Sequence, residues 1–224
     1  MLQLAEFAAA LGHEVTTAGR DTDLYVQARR TRRLTLTAEM QWQLLPGRGC
    51  ARQEYVIGAH LEPAYAIGGD NFDWSASADH LTVTVTDGMG QGIDAALLTS
   101  LTVGADLESG TVHAVDAGSP QLYRQRGATI ELIELEAQLP LGMLEETPYE
   151  EQTFHVAPGD RLIVVSTGVH GTASAHGDLF GRRALRQILS ATATMPPHET
   201  ARAVVSALTE HFGSKDLTTD AAVV

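Results

Sequence analysis

The sequence predicts an α+β fold, a four-layer α-β-β-α sandwich with two mainly antiparallel sheets. Two observations predict it. Apolar strand patterns occur in two groups along the chain, and amphipathic helix patterns occur in pairs, as expected when helices cover sheets that pack face to face. The 224 residues, of which 44% are hydrophobic, can also build one substantial core.

In this prediction, residues 1–45 form an N-terminal helical extension or linker and residues 46–224 form the main domain. An apolar stripe near the N-terminus indicates a first helix, and residues 34–45 have the pattern of a second helix that ends before Pro46. These helices could couple the domain to an upstream one, join two chains in a homodimer, or pack on a sheet. The sequence leaves the three alternatives open.

The first group of strands leads to an acidic turn. Residues 55–61 predict a strand, and Leu81, Val83 and Val85 then alternate with threonines in a second one that ends at Asp87. A helix is predicted next, because small and apolar residues recur at helical spacing. Its predicted buried face consists of Ile93, Ala96, Leu97, Ser100, Leu101 and Gly104.

The second half of the chain alternates between strands and helices. A hairpin turn at residues 108–110 is followed by predicted strands over 111–115, 121–124, 129–135 and 161–166. The last of these is a continuous apolar run, which is typical of a strand buried on both faces. Two amphipathic helices are predicted over residues 181–190 and 198–212, and a short strand ends the chain.

The stretch around the acidic turn is the candidate functional region. Asp70 and Asp73 follow two glycines, and Asp87 at its strand end precedes Gly88 in a glycine-rich segment. Carboxylates beside glycines, which let backbone carbonyls approach, suit a hard divalent cation. Asp87 could instead be a simple helix cap or turn residue. A phosphate-binding loop is less favoured, because Ile93 stands where its third glycine should be and Asp87 would repel a pyrophosphate.

These motifs resemble, in their order, the SpoIIE and RsbU branch of the metal-dependent protein phosphatases, the protein phosphatase 2C (PP2C) superfamily. The resemblance extends from about residue 38 to the C-terminus. It rests on the segments AEMQWQLLP, LEPAYAIGGDNFDW, TDGMGQGIDAALL, VDAGSPQLY, PLGM, PGDRLIVVSTG, LFG and TTDAAVV. The family normally has several tens of further residues between Gly104 and Thr111, and without them one sheet would lose a strand.

The resemblance implies hydrolysis of phosphoserine or phosphothreonine with two manganese or magnesium ions, which activate a water molecule. It assigns Asp87 to bridge the metals, Gly88 to donate its carbonyl, Asp70 to bind a metal or its water, and Asp73 to support them. The implied substrate is a phosphoserine regulatory protein, an anti-sigma-factor antagonist in a partner-switching pathway. No serine elbow or zinc-binding histidine pair suggests another hydrolytic mechanism.

The sequence departs from the family at two metal-ligand positions. Thr167 stands where the late strand of the family ends with aspartate, and Thr219 replaces the first acid of the C-terminal motif. Asp220 is adjacent, but alternation along a strand would point it away from the site. One metal or none would then bind. The sequence therefore leaves three hypotheses, namely a weakened phosphatase, a degenerate phosphatase that binds or regulates without turnover, and a sensory coupling domain.

Composition limits the partners. Fifteen lysines and arginines against 28 acids give a net charge of −13, which disfavours nucleic acids and anionic membranes. The single cysteine, Cys50, excludes an intrachain disulfide. No signal peptide and no membrane-spanning apolar stretch is evident, so a cytoplasmic location is expected.

Overall fold

Two five-stranded antiparallel sheets lie face to face in the computed structural model, and helices cover the outer side of one of them. The structure describes residues 45–64, 69–89, 97–144, 146–181, 183–213 and 217–224. In chain order the strands are β1 Gly49–Ala51, β2 Val56–Gly58, β3 His60–Glu62, β4 Asn71–Ala76, β5 His80–Met89, β6 Leu97–Asp106, β7 Thr111–Ala117, β8 Gln121–Arg126, β9 Thr129–Ile133, β10 Gln152–His155, β11 Arg161–Val165 and β12 Ala221–Val223. The helices are α1 Thr167–His170, α2 Ala184–Ala191 and α3 Pro197–Phe212.

The first sheet has the strand order β10-β7-β6-β5-β4, and the second has the order β3-β12-β11-β8-β9. Strands β1 and β2 form a small separate ribbon. Between the sheets, alternate side chains from both form one apolar core, which includes Phe72, Val85 and Leu122. On the other side of the second sheet, α2 and α3 bury Leu185, Val204 and their neighbours against it in a second core. The predicted α+β sandwich with two antiparallel sheets is confirmed.

The helix predicted over Ile93–Gly104 is wrong from Leu97 onward, because this segment is strand β6, paired with β5 along ten residues. Leu101, Val103 and Ala105 face the core while Thr102 and Gly104 alternate with them. A period of two, together with β-branched residues, therefore describes the segment better than the helical spacing. Between Gly104 and Thr111 the chain contains only the end of β6 and a turn.

The described residues supply three of the four predicted layers, in the order sheet, sheet, helices. The outward face of the first sheet is polar where β4, β5 and β6 meet. It presents Asn71, Asp73, Ser75, Thr82, Thr84, Thr86 and Thr102. Thr84 and Thr102 hydrogen-bond across the strands through their hydroxyls, 3.1 Å apart. Within the described part of the chain, no helix covers this face.

The remaining predicted strands and helices are confirmed within a few residues of their ends. The strand predicted over residues 55–61 is divided into β2 and β3, and β1, β4, β10 and α1 were not predicted. Residues 1–44 lie outside the described part, and so does the predicted helical extension except for Leu45. Among the helices that the structure describes, none is long and apolar enough to cross a membrane.

A loop between β9 and β10 is held closed by two glutamines. Gln138 donates from its amide to the carbonyl of Glu150 (2.9 Å) and accepts from the backbone N–H of the same residue (2.7 Å). Gln152 makes the same pair of bonds with the backbone of Glu136, at 2.9 and 2.6 Å. The side chains thus take the place of a strand partner on each side of the loop.

Candidate functional site

Asp70 and Asp87 meet at the end of the first sheet. Asn71 is paired with Thr86, so the same register continued by one residue places Asp70 opposite Asp87. Alternation directs both toward the core, and their side chains are 3% and 8% exposed. A Cβ on Gly69, whose φ is +97°, would lie 2.9 Å from the Cα of Gly88. This turn therefore requires glycine, and it brings the two carboxyls together.

The carboxylate of Asp87 is fixed by the second sheet. Its Oδ2 accepts a hydrogen bond of 2.8 Å from the backbone N–H of Thr167, the first residue of α1. Thr99, opposite Asp87 on β6, donates from its hydroxyl to the carbonyl of Asp87 at 3.1 Å. Asp87 therefore connects the two sheets at this end of the sandwich.

Ser166 and Asp220 also belong to this site, although sequence analysis did not place either of them there. The buried hydroxyl of Ser166 accepts from the backbone N–H of Ala222 (3.0 Å) and hydrogen-bonds the carboxyl of Asp70. Asp220 is 1% exposed, and its Oδ1 accepts a bond of 2.7 Å from the N–H of Ala64. Asp220 lies on the side of β12 that Ala222 shares with the core between the sheets, whereas Thr219 is exposed, so the prediction that Asp220 points away is wrong.

We call Asp70, Asp87 and Asp220 the acid cluster. Burial raises the pKa of the Asp70 carboxyl well above its usual range, and the negative charges of Asp87 and Asp220 raise it further. The hydrogen bond from Ser166 acts in the opposite direction but is smaller. Asp70 therefore retains a proton at pH values at which an exposed aspartate has lost its own.

The two threonines at the departed ligand positions border the acid cluster. Thr167 and Thr219 are both exposed. Gly168, between them in space, has no room for a side chain, because a Cβ there would lie 1.7 Å from the carbonyl oxygen of Asp220 and 3.2 Å from Oγ1 of Thr219. The start of α1 thus packs directly on the backbone that leads into β12.

The donor set does not fit a two-metal centre. Thr167 and Thr219 offer neutral hydroxyls where carboxylates would be needed, and one oxygen of Asp87 and one of Asp220 already accept backbone hydrogen bonds. Among the residues that the structure describes, no group of three or more histidine, cysteine, aspartate or glutamate side chains is arranged to hold a metal ion.

Asp73, the predicted supporting acid, is not brought into the cluster. It faces outward on β4 opposite Thr84, and its carboxylate accepts from the backbone N–H of Trp74 at 2.8 Å. Gly88 lies in β5 beside Asp87 and opposite Leu98. The structure thus brings together Asp70, Asp87 and Gly88, and it leaves Asp73 on the opposite face of the sheet.

Comparison with models of known protein families gives a match over part of this chain. The family model described as Stage II sporulation protein E (SpoIIE) matches residues 98–224, which is more than half of the chain. The match begins one residue into β6, so Asp70 and Asp87 lie before it. A search of curated proteins finds no match.

Solved structures share the fold at low sequence identity. The SiaA-PP2C domain of Pseudomonas aeruginosa aligns with a TM-score of 0.68 and 18% identity over 93% of this chain and 97% of that one. The PP2C phosphatase domain of SpoIIE from Bacillus subtilis, with a fragment of its regulatory domain, gives 0.63 and 17% over 74% and 61%. The RsbU and RsbW domains of a Mycobacterium tuberculosis protein give 0.58 and 18% over 74% and 58%.

Proposed function

Because this chain belongs to the SpoIIE family, we propose that it is a degenerate PP2C-type phosphatase domain that binds a phosphorylated regulatory protein and hydrolyses its phosphoserine slowly or not at all. The family supplies the phosphatase fold and the class of partner. The acid cluster and its two bordering threonines supply the reason to expect impaired turnover.

One observation is central to this proposal. The backbone N–H of Thr167 bonds the carboxylate of Asp87 at the position where an aspartate side chain would be needed as a metal ligand. Thr219, at the other departed position, is exposed and also neutral. The cluster offsets its charges through hydrogen bonds and through burial, which raises the pKa of Asp70, and Asp220 can supply at most one of the two carboxylates missing at Thr167 and Thr219.

The size of this deficit can be bounded. Even changes in residues that only orient metal ligands typically cost about 10- to 100-fold in metal affinity or activity. Even one missing carboxylate ligand should therefore cost about 1.4 to 2.8 kcal/mol or more, since a tenfold change corresponds to about 1.4 kcal/mol. A deficit of this size leaves at most one weakly held ion, beside Asp87 and Gly88.

We propose a phosphoserine protein as partner, of the anti-sigma-factor antagonist class that the family resemblance implies. The net charge of −13 supports a protein partner over nucleic acid or an anionic membrane. A cytoplasmic location is part of the same proposal. Assembly through residues 1–45, as a homodimer or as a sensory coupling element, stays a prediction.

A working phosphatase is the second candidate, and the convergence of Asp70 with Asp87 favours it. Both carboxyls lie on the buried face at the end of the first sheet, next to Gly88, as the family assignment requires. In that case the metals would be manganese or magnesium, and the two threonines would lower the rate without abolishing it.

Two measurements separate the candidates. The first is manganese-dependent hydrolysis of p-nitrophenyl phosphate and of a phosphoserine peptide by the unmodified chain and by the double variant Thr167→Asp/Thr219→Asp. The second is manganese binding by isothermal titration calorimetry. We expect no turnover by the unmodified chain, and manganese affinity about 100-fold higher or more in the double variant, with turnover gained.

Asp87→Asn in the double variant should abolish any turnover gained. The matched control is Thr167→Asp/Thr218→Asp, because Thr218 is as exposed as its neighbour but is not at the ligand position. Robust manganese-dependent turnover by the unmodified chain, lost in Asp87→Asn, would overturn the proposal and establish the second candidate.

A further inference from the structure

A second cavity lies apart from the acid cluster, on the helix-covered side of the second sheet. Its volume is about 370 Å³, within the range of small-molecule pockets. It opens between the start of β8, the strand β9 and the segment that leads into α2. The side chains that matter for its chemistry are Gln121, Tyr123, Leu132, His170, Leu179 and Arg186.

Arg186 is the cation of this cavity. Its side chain is exposed at the mouth, and within the described part of the chain no carboxylate lies within ion-pair distance of it. The guanidinium lies close enough to Tyr123 for its charge to favour the ionised phenol, although burial dominates and raises the pKa of Tyr123.

Neutral donors accompany the cation. The hydroxyl of Tyr123 donates to Oε1 of Gln121 at 2.7 Å and lies 3.4 Å from the carbonyl of Gly181. Because Oε1 of Gln121 is occupied, the amide nitrogen is the group that this side chain has left to offer a ligand, and it is a donor. The phenol can turn its proton toward a ligand at the cost of one neutral bond.

His170 completes the polar side of the cavity. Its Nε2 is 3.0 Å from the carbonyl oxygen of Ser119, so the proton resides on Nε2 and the ring is oriented by that bond. Burial lowers the pKa of His170, although the hydrogen bond to Ser119 and the charge of Asp87 act in the opposite direction. Leu132 and Leu179 form the apolar side.

A neighbouring cavity is lined by acidic side chains, in contrast to the cavity at Arg186. That cavity, of about 440 Å³, shares Gln121 and Leu132 but is lined by the acids Asp116 and Glu134. The acid cluster likewise holds negative charge. Among these three places, only the cavity at Arg186 presents a cation without a carboxylate.

We propose that the cavity at Arg186 binds an oxyanion, a carboxylate or phosphate group, on a molecule with an aliphatic portion. Arg186 and the amide of Gln121 bind the oxyanion through charge-assisted and neutral hydrogen bonds, and the two leucines bind the aliphatic portion. This site is distinct from the acid cluster, and the inference goes beyond the proposed function.

The test is an NMR titration of the ¹⁵N-labelled full chain with two probes, inorganic phosphate and isobutyrate, in EDTA. We expect saturable shifts at the backbone amides around Tyr123, His170 and Arg186. Arg186→Gln should weaken binding by about tenfold, the usual effect of removing a charge-assisted bond, whereas Arg186→Lys should restore part of it. Saturation by phosphate alone or by isobutyrate alone identifies which oxyanion the site selects, and either result supports the site.

Two control variants make the result specific. Arg202→Gln removes an equally exposed arginine from α3 and should leave binding unchanged. Glu108→Gln removes a charge from the exposed turn between β6 and β7, in the other sheet, and should also leave binding unchanged. Absence of saturable shifts with both probes, or binding that persists undiminished in Arg186→Gln, would overturn the inference.

Discussion

The ion pair between Arg126 and Asp160 gives a prediction of stability against pH. The guanidinium bonds both oxygens of the Asp160 carboxylate, from Nε to Oδ1 at 2.8 Å and from Nη2 to Oδ2 at 2.6 Å. It joins the end of β8 to the turn before β11. The pKa of Asp160 is lowered from 3.8 to about 2, chiefly by this bond.

The sign and size of the effect follow from that shift. A carboxyl with a lowered pKa stabilises the fold above its ordinary pKa, near 4, and the stabilisation is lost as the pH falls through the folded value, near 2. A shift from 3.8 to about 2 corresponds to about 2.5 kcal/mol without screening. Because the Arg126 side chain is 55% exposed, solvent screening reduces the expected contribution to about 1 kcal/mol.

The perturbation is Asp160→Asn, which keeps the shape and removes the charge. The assay is urea denaturation followed by tryptophan fluorescence between pH 7 and pH 2, because Trp74 stacks on Phe72 in the first sheet. We expect the variant to be less stable by about 1 kcal/mol at pH 7, and the difference to decrease toward pH 2. Glu108→Gln, in an exposed turn, is the control.

A difference between wild type and Asp160→Asn that stays constant from pH 7 to pH 2 would refute this reasoning. The loss of stability would then come from changed hydrogen bonds in the turn, such as the one that the carboxylate accepts from the N–H of Ala157, and not from the charge. A loss equal to that of Glu108→Gln would refute it as well.

Three further predictions concern the site and its surroundings. In EDTA, Asp70→Asn should be more stable than the wild type at pH 7 and equal to it below about pH 4. The reason is that the pKa of the Asp70 carboxyl is raised in the folded state, so its ionisation destabilises the fold only above the ordinary pKa. Urea denaturation checks this, and a less stable variant at pH 7 would contradict it. Gly168→Ala should lower the free energy of unfolding by about 2 kcal/mol or more, because its Cβ would overlap the carbonyl of Asp220. Gly47→Ala, where a Cβ has nothing within 4 Å, should change it little. Equal effects of the two variants in thermal denaturation would disprove the tight fit at Gly168. Gln138→Leu should speed amide hydrogen exchange in the loop between β9 and β10, because it removes two hydrogen bonds to the facing backbone, and unchanged exchange would show that the loop is held by other contacts.

The sequence was informative where periodicity and local chemistry agreed. The alternation at Leu81, Val83 and Val85 predicted a strand with one buried face, and the long amphipathic pattern predicted α3; both are confirmed. The segment from Leu97 failed, because small and apolar residues there fit a period of 3.6 and a period of 2 at once. Pairing with β5 decided between them, and pairing is a tertiary property.

The site was only partly predictable for a related reason. Asp70 and Asp87 are recognisable because glycines accompany them, and register then places them opposite each other. Ser166 and Asp220 come from distant parts of the chain and join the cluster only through the contact of β11 with β12. No local pattern predicts such a contact, and the sequence did not show that Asp220, rather than Thr219, lies on the buried side of β12 with Ala222.

The first sheet is a meander in which β4, β5, β6 and β7 are neighbours in sequence as well as in space. Sheets with such local pairing form early in folding, whereas the second sheet must bring β3 together with β12 from opposite ends of the domain. We therefore expect Asp70 and Asp87 to come together early in folding, and Ser166 and Asp220 to join them later. Closure of the last strand would complete the site and the fold in the same event, so shortening the chain at its C-terminus should remove both.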